Sequence, residues 1–316
     1  MNLVDVLHAR RRIAPYIRRT PLVRSLWLSD LSGADVLLKL ESLQLANSFK
    51  SRGAFNAVIA RLERPNAPHQ LVTASAGNHG RALAAAAETF KLPLVVFTPA
   101  NAPAAKLDAI RRHGATLRAE APDYDEAERQ AKAFSMQAGA EFISPYNDED
   151  VIAGAATVAI EMFEDAADID LLIVPIGGGG LVSGVAVAAT AIAPACDVVG
   201  IEAAASCAFQ TSIRAGHLVE IAPGPTIADG LGGNPDPDTI TFGLIQDLVD
   251  RIETVTEDDL AAAIAGLVEH EHLVAEGAGA AAVAALVGGR VEARGRRVAA
   301  IVSGSNIDRA RLAALL

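Results

Sequence analysis

Cysteine is scarce in this chain: its 316 residues include only Cys196 and Cys207. Two such residues supply neither a disulfide framework nor metal-ligand spacing, so both are expected to be small packing residues in a reducing compartment. Excess positive charge is also lacking. The formal net charge is -11, and no basic stripe tracks a phosphate backbone, which argues against nucleic acid as a partner. Long apolar runs are missing as well. No stretch approaches the roughly 18 residues that suggest a membrane span. The N-terminus, MNLVDVLHARRRIAPYIRRTPL, places charges after short apolar runs and so does not resemble a signal peptide. A cytoplasmic protein of one or two packed lobes is expected, because 316 residues at 51% hydrophobic can bury that much core.

What the chain does contain is alternation. Apolar segments of strand length stand at 36–40, 70–75, 92–99, 115–119, 170–176, 196–203 and 298–302. Between them lie helical patterns at 51–63, 79–90, 104–114, 124–139, 151–166, 181–193, 258–272 and 277–289. Short apolar strands separated by helices predict an α/β fold, with mostly parallel sheets covered on both faces. Neither a repeat period nor a low-complexity linker is visible. The segment 217–237 is rich in Gly, Pro and Asp; it is either a surface connection or a segment passing over a site.

Ligands of α/β proteins gather at the carboxyl ends of strands, and three strand ends here are unusual. TASAGNHG (73–80) combines small residues with Asn78 and His79 at a helix start. Ser75 alone would pass as a helix cap. PIGGGGLVSG (175–184) places four glycines between a strand and a helix. That run costs backbone entropy, but it exposes several N–H groups at a helix N-terminus, where a phosphate binds well. The spacing fits neither a dinucleotide fingerprint nor a P-loop. VSGSN (302–306) adds hydroxyl and amide groups, although alone it would read as an ordinary turn. Lys50, beside Phe49 in ESLQLANSFKSRGAF, supplies an amine. A lone lysine is usually a solvated charge. Together with a phosphate cradle and polar strand ends, it meets the needs of pyridoxal phosphate.

Taken in order, SFKSRGA, ASAGNHG, PIGGGGLVSG and VSGSNID resemble the fold type II, tryptophan synthase β-like, pyridoxal phosphate enzymes. The threonine/serine dehydratase and serine racemase group looks closest, with supporting pieces in LLKLES, YDEA, DEDVIAG, TIADG and AEGAGA. The resemblance implies a two-lobed, three-layer αβα enzyme. Residues 1–49 and 146–316 would form the large lobe and 50–145 a small mobile one, with no C-terminal regulatory domain. Lys50 would carry the cofactor, Phe49 would pack on its ring, Asn78 would bond its phenolic oxygen and Ser303 would face its ring nitrogen. Gly177, Gly178, Gly179, Gly180 and Leu181 would hold its phosphate. Ser75, Ala76, Gly77, Asn78 and His79 would form the loop for the substrate carboxylate. Relatives are dimers or tetramers.

The same resemblance separates elimination from racemisation. Serine racemases of the family carry a second serine after the one matching Ser75 and an arginine in the YDEA region, where this chain has Ala76 and Ala127. A dehydratase of L-threonine, L-serine or a related β-hydroxy amino acid is therefore expected. Racemisation, a hydroxyaspartate- or hydroxyectoine-type substrate, and a non-catalytic metabolite-binding module are the alternatives. The family's cation site pairs a Glu after a strand with an Asp six residues on; Glu202 matches but Ala208 does not, so no metal is expected. Asp229 and Glu276 match family positions near the site, with capping or loop-fixing as the roles open to them.

Overall fold

The computed structural model describes all residues, 1–316. It begins with α1 (Leu3–Ile13), whose first turn is closed by a capping box: Asn2 accepts from the Val4 N–H and Asp5 accepts from the Asn2 N–H. There follow β1 (Leu22–Arg24), α2 (Leu26–Ser32), β2 (Asp35–Lys39) and α3 (Lys50–Leu62). The middle of the chain alternates strand and helix: β3 (Leu71–Ala74), α4 (Asn78–Thr89), β4 (Leu94–Pro99), α5 (Ala104–Arg111), β5 (Thr116–Ala121), α6 (Tyr124–Ala138) and β6 (Glu141–Phe142). Next come α7 (Glu149–Asp165), β7 (Leu171–Pro175), α8 (Gly180–Ile192), β8 (Asp197–Ala203), α9 (Ala208–Ala215) and α10 (Thr241–Leu248). The chain closes with β9 (Arg251–Val255), α11 (Glu257–Glu271), α12 (Gly277–Val287), β10 (Arg297–Ile301) and α13 (Arg309–Leu315). No helix is long and apolar enough to cross a membrane.

Two sheets result. One has six strands in the order β1-β2-β10-β7-β8-β9, the other four in the order β5-β4-β3-β6. Every pairing is parallel except β1 with β2. Central strands are buried on both faces, and successive side chains enter opposite cores. Leu171 and Ile173 join the core that includes α12, while Leu172 and Val174 join the one shared with α7 and α8. In the smaller sheet, Leu94 and Val96 face α3 and α4, and Val95 and Phe97 face α6. Both sheets are thus the middle layer of an αβα stack.

Apart from the eleven-residue α1, elements missing from the sequence expectation are edge or short pieces. The full set is α1, β1, α2, β6, α9, α10, β9 and α13. One correction concerns α3. It begins at Lys50 itself, so the amine projects from the first helical turn. Gly53 lets α3 cross α7. A Cβ there would lie 2.6 Å from the Val151 carbonyl oxygen, and one on Gly154 would lie 2.5 Å from that of Arg52.

Beneath that first turn sits a buried ionic cluster. Arg52, fully buried, donates to both oxygens of Glu41 at 2.8 Å and to Glu161 at 2.7 and 2.8 Å. Lys39 donates to Glu161 at 2.6 Å and to the Thr20 carbonyl at 2.7 Å. Two cations and two carboxylates balance, and nearly every donor is used, which is the condition for tolerating buried charge. The cluster joins β2, α3 and α7 two residues from Lys50.

Candidate active site

Lys50 is partly buried, and its Nζ donates to the Pro145 carbonyl at 2.8 Å and lies 5.0 Å from the Phe49 ring centroid. No carboxylate pairs with it. Burial alone lowers the amine's pKa to about 8, so roughly a tenth of it is neutral at pH 7, far more than for an ordinary lysine. A neutral amine is the form that attacks a carbonyl or takes a proton.

After Pro145 comes Tyr146, whose ring lies flat against the glycine run. A Cβ on Gly178 would lie 2.3 Å from the Tyr146 Cγ and Cδ1, and one on Gly177 would lie 2.8 Å from the Gly230 carbonyl oxygen. Gly179, the N-cap of α8, has φ +88°, a left-handed conformation that glycine adopts freely. No side chain caps α8. The N–H groups of Gly177, Gly178, Gly179, Gly180 and Leu181 donate to no protein acceptor. Five free donors at the positive end of a thirteen-residue helix form a strong anion cradle.

The second strand end opens α4 in the same way. Gly77 is its N-cap with no side-chain bond, and the Gly77 N–H donates to Ser75 Oγ at 3.2 Å. The N–H groups of Ala76, Asn78 and His79 find no protein acceptor. The His79 side chain turns away from this loop. Its ring is buried and bonds the Ile143 carbonyl through Nε2 at 3.3 Å. Desolvation, with the Lys50 charge second, lowers its pKa to about 3, so the imidazole is neutral. Only its backbone faces the loop's open donors.

The third strand end is built into the same region. Ser303 is buried, its hydroxyl donating to the Ala278 carbonyl at 3.3 Å, and the Phe49 N–H donates to the Ser303 carbonyl at 3.0 Å. Asn78 Nδ2 donates to Glu276 Oε1 at 2.6 Å. Glu276 is therefore a site-side carboxylate, held above its usual pKa by burial. The 217–237 segment covers the glycine run: Gly230 touches Gly177, and the Asp236 N–H donates to the Tyr146 hydroxyl at 3.0 Å. Asp229 pairs with Lys106 of α5 at 2.5 Å.

Glu202 lies elsewhere. Its oxygens accept the Phe209 and Gln210 N–H groups at 2.9 and 2.8 Å, capping α9, and burial raises its pKa to about 7. Sequence reasoning missed Pro145, Tyr146 and the partners of Asn78. Nothing in SPYND marks a backbone carbonyl as an acceptor for a lysine. Tyr146 could have been suspected only from the need to cover four side-chain-free residues.

The parts fit pyridoxal phosphate without adjustment: a desolvated amine, an anion cradle of free N–H groups, a flat aromatic neighbour and a neutral hydroxyl. A model of the pyridoxal-phosphate dependent enzyme family matches residues 13–304. The chain belongs to that family. The enzyme is 39% identical to an L-threonine ammonia-lyase of Thermotoga maritima over 98% of its own length and 76% of the relative's. It is 36% identical to the L-threo-3-hydroxyaspartate ammonia-lyase of Saccharomyces cerevisiae, covering 99% and 95% of the two chains. Among solved structures, maize serine racemase superposes with a TM-score of 0.93 at 33% identity, covering 99% and 96%. The fold is accordingly the fold type II architecture expected from the motifs.

Proposed function

We propose that the enzyme is an ammonia-lyase that eliminates the β-hydroxyl of L-threonine, L-serine or a related small β-hydroxy amino acid, giving a 2-oxo acid and ammonia. The observation carrying this reading is the desolvated Lys50 amine, bonded to Pro145 beside the Tyr146 ring that packs on the five free N–H groups of 177–181. In this reading those N–H groups hold the cofactor phosphate, Phe49 packs on the ring, Asn78 donates to its phenolic oxygen, and Ser303 offers a hydroxyl to the ring nitrogen. When bound, pyridoxal phosphate supplies an electron sink for charge developing at the substrate Cα. The open donors around Ser75, Ala76, Gly77, Asn78 and His79 take the substrate carboxylate. The Lys50 amine would be the base that takes the Cα proton. Ser303 would offer the ring nitrogen a neutral hydroxyl rather than a carboxylate, and so no negative charge to hold a proton there.

Ala76 supports elimination over inversion, since it gives no hydroxyl to deliver a proton on the other face. A hydroxydicarboxylate substrate is the second reading, supported by the likeness to the yeast hydroxyaspartate ammonia-lyase. We further infer a large lobe of 1–49 with 146–316 and a mobile lobe of 50–145, a homodimer or homotetramer, and a cytoplasmic location. The separate sheets support the first of these. Two free cysteines, one with its thiol pushed up to about 12 by burial, suit a reducing compartment. The test is purified holoenzyme with L-threonine, L-serine and threo-3-hydroxyaspartate, scored for 2-oxo acid and ammonia. D-serine formed from L-serine without 2-oxo acid would overturn the lyase reading. Light scattering reads the assembly directly.

A further inference from the structure

Two charged groups near the site lack a direct partner of opposite sign. Arg81, in the first turn of α4, is half-buried, forms no ion pair with any carboxylate, and leaves its Nε without an acceptor. Glu276, at the N-terminus of α12, is 6% exposed and has no cation bonded to it. Leaving either charge alone out of water is costly. They stand at the two ends of one chain of amides. Arg81 Nη1 donates to Asn306 Oδ1 at 2.5 Å. Asn306 Nδ2 donates to Asn78 Oδ1 at 2.6 Å. Asn78 Nδ2 then donates to Glu276 Oε1 at 2.6 Å.

The direction of this chain is fixed by chemistry. A guanidinium only donates, so Asn306 must present its oxygen to Arg81. The same flip lets Asn306 Nδ2 reach the Ala46 carbonyl at 2.9 Å. Asn306 then offers an amino group to Asn78, which answers with its carbonyl oxygen. The Asn78 amino group is thereby turned the other way, with one hydrogen on Glu276 and one free. Bonds in series polarise one another in a low-dielectric setting, so the cation at one end strengthens the donor at the other.

We infer that Arg81 is a positioning residue: through Asn306 it holds and polarises the Asn78 amide as part of an amide-bridged ion pair with Glu276. This rests on the reading above, in which Asn78 donates to the cofactor's phenolic oxygen. Removing Arg81 loosens and weakens one donor without touching substrate.

The experiment compares wild type, Arg81→Met, Arg81→Lys and Asn306→Asp as holoenzymes. Pyridoxal phosphate affinity is titrated onto stripped protein, and the pH midpoint of the visible band is recorded beside melting temperature and L-threonine kinetics. We expect Arg81→Met to weaken cofactor affinity about fivefold, a coupling typical of residues in one network. Its visible band should shift midpoint, kcat should fall more than KM rises, and Arg81→Lys should recover most of each effect. Asn306→Asp, which places an acceptor against the Asn78 oxygen, should lose more than Arg81→Met and serves if that variant folds poorly. Wild-type affinity and band midpoint in both Arg81→Met and Asn306→Asp overturn the inference, even if melting temperature falls. A wild type that shows no visible band with the cofactor overturns the functional reading and this inference together.

Discussion

Replacing Arg52 by methionine should destabilise the protein strongly and in a pH-dependent way. Arg52 is fully buried and donates to Glu41 and Glu161, with Thr157 Oγ1 accepting at 3.1 Å. Met fills similar space without charge, leaving Lys39 alone against two carboxylates. Breaking a buried pair by removing one partner costs about 3–5 kcal/mol. At about 2 °C per kcal/mol for a chain of this size, the melting temperature at pH 7.5 should fall by roughly 6–10 °C. The sign of the pH effect follows from Glu161. Burial raises its pKa, but the Arg52 hydrogen bond and charge, with Lys39, hold it below the ordinary carboxylate value. Such a group stabilises the fold above the unfolded carboxylate pKa and loses that contribution as pH falls through its depressed folded value. In Arg52→Met a carboxylate should instead take up a proton, so the deficit shrinks as pH is lowered from 7.5 toward 5. Calorimetry or fluorescence melting of both proteins across that range is the assay. A variant melting within 2 °C of wild type at pH 7.5 would refute the reasoning; so would a deficit that does not change with pH.

Gly178→Ala should cost about 1–3 kcal/mol by overpacking against the Tyr146 ring, and should weaken cofactor retention measured by dialysis. Lys50→Met in the cofactor-free protein should melt no lower than wild type at pH 7, because it removes a desolvated ammonium. The Lys50 amine, lowered to about 8, destabilises the charged fold; wild type should gain on the variant as pH rises from about 8 toward the unfolded lysine range. Melting curves at pH 7 and 9.5 check both points. Ala76→Ser should add measurable D-serine formation from L-serine by chiral chromatography; unchanged product chirality would remove Ala76 from the account.

Much of this architecture was legible because its central strands are short apolar runs with turn signals at each end. VLLKL, LPLVVFTP and DLLIVPI announce themselves in this way. Edge strand β9, RIETV, is only partly buried along most of its length, so its polar residues erase the strand pattern. β1 has three residues and β6 two, too few for periodicity. At the site, Lys50 and the glycine run were readable because a run of glycines has few other physical reasons to exist. The buried cluster was half-visible, since Lys39 and Glu161 interrupt otherwise apolar segments. Their partnership with Glu41 and Arg52 depends on how α3, α7 and β2 meet, which no local pattern encodes. The Arg81–Asn306 link escaped for the same reason: the two residues are 225 positions apart.

Lys50→Ala tests the central claim most directly. Wild type reconstituted with pyridoxal phosphate should be yellow and should release 2-oxo acid and ammonia in equal amounts from a β-hydroxy amino acid. Lys50→Ala, folded by circular dichroism, should lose the visible band and essentially all of that activity. A Lys50→Ala protein that keeps its colour and its ammonia release would contradict the account.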